Sequence, residues 1–356
     1  MEKIFARLSQ ISASLVFVVL VATLVTLYLA AKPAIEEFGA KFMFDSRWGV
    51  EVPVEQPKDE SAKPGVSDES PAKEAEKPAT QEHPADALIE DDGINIGDED
   101  DGINVGDEDD DINVGEESES YADTAPTREV FGGAVAVVGT VFSTIIAMLF
   151  ALPIAMGIAI FLSEIAPSAV AKPVGIAIEL LAAIPSIIYG MWGLFYFGPF
   201  IASIFGGYSV SLLVAGLVLG IMVIPFMAAL SRDAINTTPD ILKEAAYAMG
   251  ATKFEVIKDI IFPYAKAGII GSIIISLGRA LGETMAVAFV IGGVFEFASK
   301  VTDPTISIPV VLANNFSESS GMSLASLFYL SLILFVVSFI VIFTAKHYFL
   351  RKGKLR

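Results

Sequence analysis

Two side chains of opposite charge sit where charges are rare. Within an apolar run, Gly278-Arg279-Ala280-Leu281-Gly282-Glu283-Thr284-Met285 places a guanidinium and a carboxylate four residues apart, one helical turn on a single face. The enclosing run reads as a membrane span of about 268–293, which puts Arg279 about eleven residues in. That is near the bilayer middle, where a charge costs several kcal/mol unless it faces protein or water. An Arg279–Glu283 ion pair is therefore expected. Two compatible roles fit it. The charges can neutralise each other between packed helices, with Gly278 and Gly282 as a Gly-x-x-x-Gly step for close approach. Alternatively, the planar fork of Arg279 lines a path crossed by a tetrahedral oxyanion.

Other chemistries find little support. The chain has no cysteine and only two histidines, His83 and His347, so it holds neither a disulfide framework nor a thiolate metal site. Neither histidine falls in a span, and no metal or nucleophile constellation for a membrane-embedded enzyme appears. No Gly-x-x-x-x-Gly-Lys-Ser/Thr loop is present to cradle a nucleotide. Glu179 is a second carboxylate in an apolar run, near the cytoplasmic end of a third span, and reads as structural. In the same run Ile184-Pro185-Ser186-Ile187-Ile188-Tyr189-Gly190-Met191-Trp192-Gly193 interrupts the helix with Pro and Gly. Irregular backbone at that depth is tolerated against a cavity or a neighbouring helix, so pore lining and packing both fit.

These residues must be positioned by membrane helices. The 356 residues carry a net charge of -19, but 28 acidic and 6 basic side chains fall between Asp45 and Glu129, leaving the rest near +3. Apolar runs at about 11–31, 131–162, 174–197, 208–230, 268–293 and 324–345 are each long enough to span a bilayer. The first follows Lys3 and Arg7 and is too long for a cleaved signal peptide, so it reads as an anchored span with its N-terminus inside. Pro153 with Gly157 is expected to bend or divide the second. Six spans return the C-terminus to the same side, in agreement with the basic tail Lys346, Arg351, Lys352, Lys354 and Arg356. Phe38, Phe42, Phe44 and Trp48 suit the outer interface. The fold class is thus an all-α polytopic membrane protein of six transmembrane helices. It divides into an N-terminal segment 1–49, an acidic low-complexity extracytoplasmic insert 50–127, and a core 128–356. The insert cannot bury enough apolar surface to fold and is expected to be disordered. It repeats a nine-residue unit, Asp92 to Asp100, Asp101 to Asp109 and a degenerate copy to Gly115. The glycine and the closing Glu do not fit a calcium-binding EF-hand loop. A solvated acidic brush and weak cation or partner binding stay open.

Between the fourth and fifth spans lies a polar helix-forming stretch, within a loop of about 232–266. Glu244-Ala245-Ala246, three residues, Gly250, nine residues and Ile260-Ile261-Phe262-Pro263 resemble the EAA loop of ABC importer permeases. There, small Ala245 and Ala246 allow close docking and Gly250 supplies the turn between two short helices. Phe262 stands where that pattern usually has Leu. Together with Ala183 to Phe195, Leu277 to Val287 and Phe161 to Pro167, the chain outside the insert resembles the PstC-type phosphate-specific permeases. The resemblance implies a type I (MetI-like) importer fold in the cytoplasmic membrane, with both termini cytoplasmic. It also implies a sister permease, an ATP-binding subunit dimer and an extracytoplasmic phosphate-binding protein as partners, with no cofactor, catalytic residue or nucleic acid. Glu244, Ala245, Ala246 and Gly250 would then dock the ATP-binding subunit, and Arg279 and Glu283 would lie on the translocation path. Other oxyanions (sulfate, molybdate, tungstate) and a sensor or scaffold built on the transporter fold are the alternatives. The acidic insert departs from the family, and its charge would repel an anion, though salt screens it.

Overall fold

The computed structural model describes residues 2–53 and 127–351. The chain clusters into two units, Met1–Val52 with Arg128–Arg356, and Pro53–Thr127. The expected disorder of the insert and its repeats lie outside the described residues.

Among the described residues, six helical stretches are long and apolar enough to cross a bilayer: Gln10–Met43, Ala134–Ile165, Ser186–Phe205, Leu212–Asn236, Lys253–Leu281 and Gly321–His347. In chain order the elements are α1 (Glu2–Phe38), β1 (Trp48–Pro53), β2 (Thr127–Phe131), α2 (Ala134–Ile160), α3 (Ser168–Ala182), α4 (Ser186–Trp192), α5 (Gly198–Phe205) and α6 (Leu212–Asn236). After these come α7 (Asp240–Ala248), α8 (Lys253–Glu255), α9 (Phe262–Leu281), α10 (Met285–Ala288), α11 (Ile308–Asn315) and α12 (Gly321–Arg351).

Small residues decide which helices meet. On α2, Ala147, Ala151, Ala155 and Ala159 recur every fourth position and are fully buried. They form a flat stripe against α6, where Gly216 and Gly220 face Ile146 and Ala147. Lipid is as apolar as leucine, so close backbone packing of small residues is what holds such helices together. The apolar window of α6 is 67% buried while that of α1 is 0% buried, which makes α6 the central helix and α1 a peripheral one. α9 packs against both α6 and α2, and α1 lies along α12.

The first amides of α6 would be orphaned in the bilayer. Instead the segment after α10 folds back over them: Ser211, Leu212 and Leu213 donate to the carbonyls of Val290, Asp303 and Val301 at 2.8, 3.0 and 2.7 Å. The Ser211 side chain accepts from the amide of Val214 at 3.3 Å, an N-cap.

The aromatics after α1 pack on one another, and two expected helix boundaries need correction. Phe42 is 1% exposed, Trp48 stacks on Phe295 at 5.3 Å and meets Phe131 at 5.2 Å, and together they anchor a small β1–β2 ribbon. Of the four expected at the outer interface, Phe44 is exposed. The helix α2 runs through Pro153 undivided, and its register changes only at a π turn, Phe161–Ile165. The third span is not 174–197 but Ser186–Phe205. Pro185 disfavours helical backbone at Ile184, so the apolar run splits there and α3 becomes a separate helix.

Candidate functional site

α9 runs antiparallel to α6, and three contacts fix their register. Gly268 faces Ala234, the hydroxyls of Ser231 and Ser272 share a 2.7 Å hydrogen bond, and the Arg279 guanidinium lies 5.5 Å from the centroid of the Phe226 ring. Phe226 is close to the midpoint of α6, so Arg279 is at mid-depth, as its place in the sequence suggests. The helix around it is not the expected one. It belongs to a span that begins at Lys253, not at 268, and α9 ends at Leu281 with Gly282 as its C-cap. Arg279 therefore occupies the last turn, where unpaired carbonyls favour a cation. The chain continues through α10 and the turn that ends it, up to the Val290 carbonyl over the start of α6. The fifth span is thus a helix broken at mid-depth, a construction found where backbone lines a cavity or meets protein.

The break separates the expected ion pair. Among the described residues Arg279 makes no ion pair, because helical geometry stops before Glu283. The Glu283 carboxylate instead accepts from the amide of Ala286, in the first turn of α10, at 3.3 Å. The Gly-x-x-x-Gly reading is also divided, since Gly278 faces Ile342 of α12 while Gly282 sits in the cap with no outside neighbour. Arg279 is exposed in the isolated chain. Its interaction with Phe226 is a cation–π contact, a weak substitute for a counter-charge at that depth.

The second irregular stretch is locked to the first. A Cβ on Gly190 of α4 would lie 2.9 Å from the Phe289 ring and 3.0 Å from Ala286 Cα, so glycine lets α4 and α10 meet at the backbone. The Tyr189 hydroxyl donates to the Leu181 carbonyl at 3.0 Å, tying α4 back across the Pro185 break. Beside this junction a cleft of about 540 Å³ is bordered by Gly282, Thr284, Met285, Leu312, Phe316 and Phe328.

At the other end of α6, the loop has the expected helix–turn–helix form. Gly250 adopts φ +89° between α7 and α8, backbone that favours glycine. A capping box follows: the Glu255 amide donates to the Thr252 hydroxyl at 3.4 Å and the Thr252 amide to the Glu255 carboxylate at 2.7 Å, satisfying two otherwise free donors. Glu244 and Ala245 are exposed and Ala246 is half-buried. A groove of about 360 Å³ runs between Ala246, Met249, Gly250, Glu255, Asp259 and Ile260. Apolar side chains face outward around it, Met249 at 90% and Ile241 at 73% exposure.

Three polar residues near this loop carry roles that their spacing did not reveal. Lys243 Nζ donates to Glu164 Oε1 at 2.7 Å, joining α7 to the π turn that ends α2. Burial by itself would push the Lys243 ammonium down, but the hydrogen bond and charge of Glu164, with Asp240 adding to them, hold it above the ordinary lysine range. Arg232 reaches from α6 across Gly175 of α3 to Glu179, Nη1 to Oε1 3.8 Å. Glu179 lies on α3, outside the six candidate spans, with its side chain 62% exposed. Sequence separations of 79 and 53 residues hide these pairs from any reading by helical spacing.

Broken spans packed around one central helix, with a capped helix–turn–helix beyond its end, define a polytopic membrane protein, and the comparisons with known proteins make it a transport component. Residues 130–351 match the family "Binding-protein-dependent transport system inner membrane component". The chain is 45% identical over 240 residues to the phosphate transport system permease protein PstC of Pasteurella multocida, covering 62% of this chain and 75% of that protein. To the Haemophilus influenzae protein of the same name it is 43% identical over 248 residues, covering 64% and 78%. A chain of the inward-facing MetNI methionine ABC transporter superposes with a TM-score of 0.51 at 20% identity, covering 61% of this chain and 94% of that one, which shows the shared fold. The chain belongs to the binding-protein-dependent transport system inner membrane components, in their PstC branch. Membership implies an ATP-binding subunit and a substrate-binding protein as partners.

Proposed function

We propose that this chain is one of two membrane subunits of an ATP-driven importer of inorganic phosphate, and that it forms the translocation path with a sister permease. The observation that carries the reading is Arg279, an exposed guanidinium at mid-depth with no carboxylate partner among the described residues. Such a charge must face water or a second protein surface, and a path between two permeases offers both. Its planar fork suits a phosphate oxyanion bidentately, in keeping with the phosphate permeases the chain resembles. Glu283 stands beside the path, just past the break, with its carboxylate bonded to the first turn of α10.

Both termini are cytoplasmic in this reading, supported by Lys3, Arg7 and the basic tail from Lys346. The α7–α8 loop is then cytoplasmic, and the acidic segment 50–127 is an extracytoplasmic insert between 1–49 and the core 128–356. Glu244, Ala245, Ala246 and Gly250 dock the ATP-binding subunit, for which the exposed Ile241 and Met249 provide apolar contact. Closure of the ATP-binding dimer moves the loop, and the two permeases rock to open the path to alternate sides.

ATP-driven uptake of labelled phosphate into vesicles containing both permeases, the ATP-binding dimer and the binding protein tests the substrate. Excess unlabelled phosphate is expected to compete, and sulfate and molybdate are not. Equal competition by either would assign the path to another oxyanion.

A further inference from the structure

The docking helix α7 is held to its own subunit by little. None of its residues is fully buried. It hangs between Thr237-Thr238-Pro239 on the α6 side and the Met249-Gly250 turn on the α8 side. Its apolar support is limited to Ala246, half-buried against a cluster that includes Ala159, Val256 and Ile261.

Lys243 is the exception. Its ammonium meets Glu164 at 2.7 Å, with the two side chains only 16% and 9% exposed. Neutralising Lys243 does not require Glu164, because Asp240, 3.5 Å away on α7 itself, already provides a negative charge. What Glu164 adds is attachment. A buried, charge-assisted hydrogen bond is short, directional and costly to leave half-made. It fastens α7 to the end of α2, the helix whose alanine stripe lies along α6.

We propose that the Lys243–Glu164 pair is a positioning pin for energy coupling: it makes α2 move with α7, so that the docking helix displaces α2, α6 and α9 as one body. The proposal rests on the reading of α7 as the docking helix. Without the pin, α7 keeps its hydrogen-bonded connections to α6 and α8 but no side-chain tie to α2, and its motion is not passed to that helix.

The test uses the full complex with Glu164→Gln, Lys243→Met and the exchange Glu164→Lys/Lys243→Glu made together with Asp240→Asn, which removes the α7 carboxylate 3.5 Å away that would repel the exchanged one. In Glu164→Gln, Lys243 keeps Asp240 as a partner, so α7 retains its charge balance. The chain has no cysteine, so Ile165→Cys and Tyr247→Cys place spin labels on either side of the pin and nowhere else in this subunit. With the pin intact, the label distance stays constant when ATP binds. In the single variants it changes, phosphate moved per ATP hydrolysed falls about fivefold or more, ATP-binding subunits still co-purify, and the exchange restores both readouts. The pin is overturned if the label distance responds to ATP alike in wild type and single variants. It is equally overturned if single variants transport with wild-type coupling, or if the exchange assembles but stays uncoupled. Single variants that fail to assemble leave the decision to the exchange, whose coupling then supports or overturns the pin. A wild-type complex that hydrolyses ATP but moves no phosphate would overturn the substrate assignment instead, and the label distance, which needs only ATP, still decides the pin.

Discussion

Stopping α9 at Leu281 puts Arg279 in a final turn rich in free carbonyls and moves Glu283 out of its reach. The depth of the charge was legible in the sequence, because apolar residues extend on both sides of it. The missing ion pair was not, since spacing of four residues implies contact only while the helix continues. Gly282 and Thr284 are weak break signals, and beyond the break α10 packs backbone to backbone on α4 at Gly190. Gly190→Val should therefore be costly. With backbone and ring atoms at 2.9–3.0 Å from its Cβ position, overpacking is expected to destabilise the protein by about 1–3 kcal/mol, read as a lower melting temperature in detergent. Phe226→Leu keeps an apolar side chain and removes the cation–π contact, worth about 0.5–2 kcal/mol, and should leave the melting temperature nearer wild type than Gly190→Val does.

Among the elements, the number of spans was readable from hydropathy and their ends were not. Pro185 split what looked like one run, and Lys258 and Lys266 made the fifth span seem to start after them, whereas the Thr252–Glu255 capping box starts it earlier. The α7–α8 loop was the most legible element, because Gly250 and the small residues before it have local reasons to be there. Space around Gly250 is open, so its φ of +89° is the only constraint. Gly250→Asn, which tolerates left-handed backbone, should keep ATP-binding subunits bound, while the β-branched Gly250→Val should lose them in co-purification. The pin on the same loop sets a pH dependence. The Lys243 pKa is raised in the folded protein, so its contribution is complete below the ordinary lysine value and lost only as pH rises above it. Melting temperature is thus expected to show no Lys243-dependent fall between about pH 7 and 9, where lysine stays charged, and Lys243→Met should be less stable than wild type throughout that range.

For the molecule as a whole, the β1–β2 ribbon joins the two chain segments that flank the acidic stretch, and Trp48, Phe131 and Phe295 clamp it to the helices. Replacing about residues 56–124 by a short Gly/Ser turn should leave membrane insertion and transport intact, since that composition adds no core. Loss of insertion on this deletion would contradict it. The aromatic clamp itself was not legible, because its members are scattered from Phe38 to Tyr329. The measurement that bears most directly on the transport path is phosphate uptake per ATP hydrolysed by the complete complex, comparing wild type with Arg279→Ala. Losing charge-assisted bonds worth about 1.5–3 kcal/mol should cut uptake roughly ten- to hundredfold, while the ATP-binding subunits stay attached. Uptake at the wild-type rate in Arg279→Ala would contradict a path past Arg279.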